Sequence, residues 1–203
     1  AAALTLSVGV ALFAAKRRPV KGAVELTALA LMVAWWCLSY FCEITMPTAR
    51  LKLIAVRCAY VSITSLPVLW LLLAARSTDI VDLARPWRIA LAASVPGLTL
   101  AFAFAYPRGQ LLWTGVGLDT TLVHPMLVFS QGPWFWINVA WSYALLLVGV
   151  VLFLASLKGA PRYYRGRTVA LVVAMAAPWT LHGLTMFGVT TPAVTQVTDA
   201  LGD

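Results

Sequence analysis

The sequence predicts an all-α membrane protein, a polytopic bundle of transmembrane helices, on three observations. Of 203 residues 62% are hydrophobic and only 11% charged, where a soluble domain carries about 25% charged residues. The apolar residues fall into six long blocks rather than alternating or one-faced patterns. The basic residues gather in every second connection between those blocks. With a mean hydropathy of +0.88, water is not the main solvent of this chain.

A helix needs about 20 apolar residues to cross the hydrocarbon core. The six blocks are Ala1 to Ala15, Ala23 to Ile44, Leu51 to Ala75, Ile89 to Tyr106, Trp134 to Leu157 and Thr168 to Val189. The first is short and looks cut at its start. Backbone groups in lipid must be paired within the segment, so each block is expected to be a helix. The alternating strands of a membrane barrel are absent. One continuous bundle over 1–203 is expected, truncated at both ends, with a long outer loop over 107–132.

The connections set the orientation. Lys16, Arg17, Arg18 and Lys21 separate the first two blocks; Arg76, Arg85 and Arg88 follow the third; Lys158, Arg162, Arg165 and Arg167 follow the fifth. Eleven of the 15 basic residues therefore lie on one side. By the positive-inside rule that side is cytoplasmic and the amino terminus is outside. Six crossings would leave both termini outside, so either a seventh helix follows Asp203 or the domain ends there. Ser77 to Pro86 reads as a short cytoplasmic interfacial segment. Pro107 to Gly132 is too apolar for a solvated linker and is expected to fold over the bundle mouth; loops of this length often act as lids.

The net charge of +8 is explained by topology and anionic lipid. No contiguous basic face suits nucleic acid, which is excluded as a partner. No nucleophile elbow, HExxH or Walker loop is present, so no catalysis is expected in this chain. Cys37, Cys42 and Cys58 lack metal-site spacing; they read as apolar filler, with a Cys42–Cys58 disulfide left open. No cofactor is expected: Lys52 at a helix end suits a retinal Schiff base poorly, and a haem would have to use His124 and His182.

Polar groups in spanning helices are costly and usually face the bundle interior. Glu43 ends the second helix and Arg57 lies about two turns into the third, across the Pro47 turn. An ion pair between them would either fasten two helices or contact a ligand in an outward-opening cavity. His182, one turn after Pro178, either bonds a neighbouring helix or meets a ligand in space that the kink opens. Asn138, Ser142 and Tyr143 read as interhelical hydrogen-bonding groups. Trp113, Trp134, Trp136, Trp141 and Trp179 fall toward the outer side. They fit an interfacial belt, or an aromatic, mildly polar pocket. Pro67, Pro96 and Pro178 interrupt three helices as static kinks or as hinges.

Several landmarks in order suggest a family. They are Trp35 and Glu43, Tyr60 leading to Pro67 and Trp70, Pro96, Trp113, Gly132-Pro133-Trp134-Phe135-Trp136 with Tyr143 beyond, Tyr163-Tyr164-Arg165-Gly166-Arg167, Pro178 and Asp199. With these, Ala14 to Asp203 resembles the seven-transmembrane N-terminal sensor region of bacterial and archaeal membrane histidine kinases, also found ahead of diguanylate cyclases. The resemblance implies a seventh helix after Asp203 leading to a cytoplasmic, dimerising kinase or cyclase module. It also implies a homodimeric full-length receptor in a prokaryotic cell membrane.

The expectation is thus a ligand-sensing input domain of a signal-transduction receptor. A small molecule would bind from outside between helices two, three, five and six, under the 107–132 loop. Glu43, Arg57, Tyr60, Trp113, Trp141 and His182 are the candidate ligand-binding residues. The alternative is a small transporter or channel, which would show discontinuous helices and internal repeats; no repeat relates the two halves.

Overall fold

A computed structural model describes residues 2–16, 20–82, 85–119 and 125–157, together with positions 166, 169, 170, 172, 173 and 180. Two compact units divide the chain, Ala1–Leu152 and Phe153–Asp203. In the first, five helices and a hairpin follow in order: α1 (Ala2–Lys16), α2 (Ala23–Thr45), α3 (Ala49–Thr78), α4 (Pro86–Ala105), β1 (Trp113–Asp119), β2 (Met126–Gln131) and α5 (Pro133–Ser156), whose last turn enters the second unit. Of the second unit, the described positions after 157 are helical. Most of the sixth block, with Pro178, Trp179 and His182, lies outside the described residues, as does His124.

Helices α2, α3, α4 and α5 are each long and apolar enough to cross a membrane, and α1 is a shorter apolar helix. Their bounds lie within three residues of the expected blocks. At 1.5 Å per residue, the 30 residues of α3 reach about 45 Å, beyond a core about 30 Å thick. It is long enough for its ends, which carry Arg50 and Arg76, to reach both interfaces. Of the most apolar stretch of α3, 61% is buried, against 22% in α2 and α4 and 39% in α5. α3 is the centre of the first unit. Leu31, Phe41, Leu98, Phe104, Leu147 and Val151 on the surrounding helices are exposed, as side chains facing lipid would be.

Indoles and small residues fasten α3 to its neighbours. Trp70 is fully buried and its Nε1 donates to the Leu146 carbonyl of α5 at 3.1 Å. A Cβ on Gly149 would collide with that same indole; only glycine leaves room there. Where α3 begins, Thr48 caps it by accepting from the Leu51 N–H at 3.4 Å. Where it ends, Asp79 takes a left-handed conformation (φ 53°) and its N–H closes on Ala75. Asp79 then meets Lys21, and Arg76 lies 3.6 Å from Glu25, tying the end of α3 to the start of α2.

The described residues of 107–132 include two strands where a loop was expected. β1 and β2 pair antiparallel from Asp119↔Met126 to Trp113↔Gln131, with an irregularity between Trp113 and Gly115. β2 packs against α3. Gly132 closes the hairpin onto α5: its N–H donates to the Leu112 carbonyl at 2.9 Å, and that of Trp134 to Leu111 at 3.0 Å. A side chain at Gly132 would strike the Leu111 carbonyl.

Candidate functional site

The hairpin end of the bundle collects the four basic residues that lie outside the strongly basic connections: Arg50, Lys52, Arg57 and Arg108. Lys52 and Arg57 are five positions apart on α3, hence about 140° apart around its axis. They face different neighbours. α2 and α4 are the neighbours of α3 in sequence and pack against it; both run antiparallel to it and both finish at this end. A finishing helix presents unpaired carbonyls and a partial negative charge.

Each cation takes one of these helix ends. Lys52, buried, donates from Nζ to the Glu43 carbonyl at 2.6 Å and to that of Ile44 at 3.4 Å. Arg57 donates from Nε to the Ala103 carbonyl of α4 at 3.1 Å, and from Nη2 to the Tyr106 carbonyl. The expected Glu43–Arg57 ion pair is therefore corrected. Arg57 turns toward α4, and Glu43 has other partners. The buried Glu43 carboxylate accepts the backbone N–H of Leu127 in β2 and lies in the field of Lys52. It holds the hairpin on the bundle.

Beside these charges the hairpin inserts an aromatic plug. Trp113 is 1% exposed. Its Nε1 donates to the Tyr60 hydroxyl at 3.3 Å, and the rings meet edge-on with centroids 5.0 Å apart. Phe129 lies tilted against it with centroids 4.7 Å apart, and Tyr106 meets it edge-on at 5.8 Å. Val56, Ala103, Leu112 and Leu127 complete the cluster. Tyr60 and Trp113 are thus brought together as packing groups.

A cavity of about 610 Å³ opens where α3 meets the end of α4, lined by Arg50, Leu53, Ile54, Arg57, Phe104, Ala105, Tyr106, Pro107 and Arg108. Three arginines line it and, among the described residues, no acidic one does. Of the expected site residues only Arg57 is among them. Glu43, Tyr60 and Trp113 are not among its lining residues. Trp141 lies about 12 Å along α5 from its start and donates to the Ala92 carbonyl of α4 at 3.1 Å. His182 lies outside the described residues.

Nearer the hairpin, α4 and α5 share a buried polar chain. Trp134 Nε1 donates to Thr99 Oγ1 at 2.9 Å, and Thr99 Oγ1 lies 2.9 Å from Asn138 Oδ1. Asn138 is interhelical, as its position suggested.

A family model described as the N-terminal 7TM region of histidine kinase matches residues 1–200. The chain belongs to that family. No curated protein and no solved structure matches the chain. As a sensor region of this family, it is a multi-pass membrane domain serving as a signal-transduction input. Family membership implies a cytoplasmic output domain in cis, and a sensor role fits a domain without catalysis.

Arg50 and Arg108 were visible as cations outside the basic connections, but nothing in their spacing joined them to Arg57. That juxtaposition needs α4 to end beside the start of α3. Lys52 could have been found: it lies nine positions after Glu43 across a tight turn, on the face of α3 that Arg57 does not share.

Proposed function

We propose that this sensor region detects a small molecule from outside the cell at the Arg50–Arg57–Arg108 cavity. The outward orientation is supported by the eleven basic residues in the opposite connections. The event would pass along α3 and α4 to a cytoplasmic kinase-type module of a prokaryotic, homodimeric receptor.

The observation that carries this reading is the double role of Arg57. Arg57 lines the cavity, and its guanidinium also holds the carbonyls of Ala103 and of Tyr106, the cap of α4. An occupant that draws on Arg57 competes with the end of α4 for the same donors. It therefore has a different affinity for each arrangement of α3 against α4, the condition a ligand must meet to shift a conformational equilibrium. Glu43, Tyr60 and Trp113 keep the hairpin seated while this occurs.

The test is receptor output in cells. Arg50 and Arg108 are exposed, so replacing both with alanine leaves the buried packing untouched. Output is expected to change several-fold in the double variant at unchanged membrane abundance. Output identical to that of the parent protein would remove the cavity from signalling.

A further inference from the structure

The chemistry of the cavity narrows what enters it, given the reading of this site as the sensory one. Three arginines around one opening repel one another, and none of the described lining residues supplies an opposite charge. The two α4 carbonyls held by Arg57 offset only part of one of these charges. Arg50 and Arg108 form no ion pair among the described residues. Guanidinium groups match carboxylate and phosphate oxygens through paired donors.

The rest of the lining is apolar and points another way. Ile54 is 47% exposed and Phe104 is 53% exposed, and both lie on helices long enough to span the bilayer. Ile54 is one turn from Arg50, and Phe104 is four positions before Arg108. Arg50 and Arg108 thus sit at the ends of the helices and Arg57 about two turns in from the start of α3, while Ile54 and Phe104 present apolar surface beside them. A hydrophilic anion would use the arginines and leave that surface uncovered.

We propose that the Arg50–Arg57–Arg108 cavity binds the anionic head of an amphiphile, a phosphate or carboxylate whose apolar chain lies along Ile54 and Phe104. The head bridges Arg50 and Arg108 and reaches Arg57. The chain lies at the α3–α4 surface that faces lipid. Such a molecule can come from the bilayer as an anionic phospholipid, or from outside as a fatty-acid-like solute.

The experiment uses the intact receptor in nanodiscs, with phosphatidylglycerol or decanoate as probes and native mass spectrometry to count retained molecules. In phosphatidylcholine discs seeded with phosphatidylglycerol, the parent protein is expected to retain phosphatidylglycerol preferentially. Retention should weaken about 30-fold in R50A/R108A, the worth of two interfacial cations. R50K/R108K should fall between, since charge remains without the planar fork. If decanoate binds in pure phosphatidylcholine discs with the same arginine dependence, the source is a solute; if only phosphatidylglycerol is retained, the source is the bilayer.

Two results overturn the proposal. One is equal retention of both probes by the parent and R50A/R108A. The other is acetate, the same head without a chain, binding as tightly as decanoate. The reading of the site as sensory fails separately. Anion binding that depends on the arginines, combined with unchanged receptor output in R50A/R108A, would leave an amphiphile site with no role in sensing. Altered output without anion binding would leave a sensory site for another ligand.

Discussion

The two ends of the bundle handle charge in opposite ways. At the basic end Lys21 meets Asp79 and Arg76 lies near Glu25, cation against carboxylate; both partners of the first pair are more than 60% exposed. At the hairpin end Glu43 and Lys52 are buried, cations meet helix carbonyls, and three arginines line a cavity with no acid among its described residues. At one end the described ion pairs are exposed and open to water; at the other, cations are drawn into the packing and around a cavity. Exposed pairs contribute little to stability because water and salt screen them. Buried charges persist only where every hydrogen-bonding position is satisfied. The hairpin end is therefore where precise structure is concentrated.

Lys52→Ala tests that contrast with the largest effect. It removes a buried cation from two helix carbonyls and from the field of Glu43, leaving a buried carboxylate supported by the Leu127 N–H alone. Breaking such an arrangement costs about 3–5 kcal/mol. Denaturant or thermal unfolding in detergent should show that loss, and E43Q/K52A should recover part of it because the uncompensated charge is gone. A cost for Lys52→Ala no larger than an exposed pair's would erase the distinction between the two ends.

Trp113→Ala is close behind. Truncating a buried tryptophan costs about 3–5 kcal/mol, but here part of the loss is local, confined to the hairpin and the ends of α3 and α4. Hydrogen exchange should rise in β1 and β2 while the α3–α5 contact at Trp70 stays protected. Uniform loss of protection across the bundle would mean that the plug is not a separate element of the hairpin end.

The sequence made the helices legible because lipid leaves few options. A block of about 20 apolar residues must be a helix, and loop cations report which blocks share an end. The hairpin was less legible. Met126-Leu-Val-Phe, between Pro125 and Gly132, has strand composition, but Gly115 and Gly117 weaken the opposing segment. Partners at the hairpin end were the least legible. Glu43 and Arg57 sit on adjacent helices at matching depth, which made a pair plausible. Depth alone omits rotation: 140° between Lys52 and Arg57 sends one to α2 and the other to α4. The cavity then follows from the end of α4, which no pattern along the chain marks as the neighbour of Arg50.

Between these extremes lies the polar chain joining α4 and α5. Thr99→Val keeps the shape of the side chain but deletes the hydroxyl that Trp134 and Asn138 share. Hydrogen bonds within membrane bundles average about 0.6 kcal/mol, with a maximum near 1.7. The variant is expected to lose about 1 kcal/mol in an unfolding titration, because the contacts to Trp134, Asn138 and the Val95 carbonyl meet at one atom. A loss matching that of Lys52→Ala would place buried neutral and buried charged groups on the same footing.

Lys21→Ala should have the smallest effect, and it bears most directly on the contrast. The ammonium and carboxylate of the Lys21–Asp79 pair are 72% and 64% exposed, so water already solvates both. Exposed pairs typically contribute about 0.2–1 kcal/mol and are screened by salt. Asp79 keeps its left-handed turn through its own N–H to Ala75, so the end of α3 does not depend on Lys21. The expected change in midpoint is small at low salt and vanishes at high salt. A large, salt-independent loss would mean that this lysine is shielded in the membrane-bound protein, and the basic end would then share the buried-charge logic of the hairpin end.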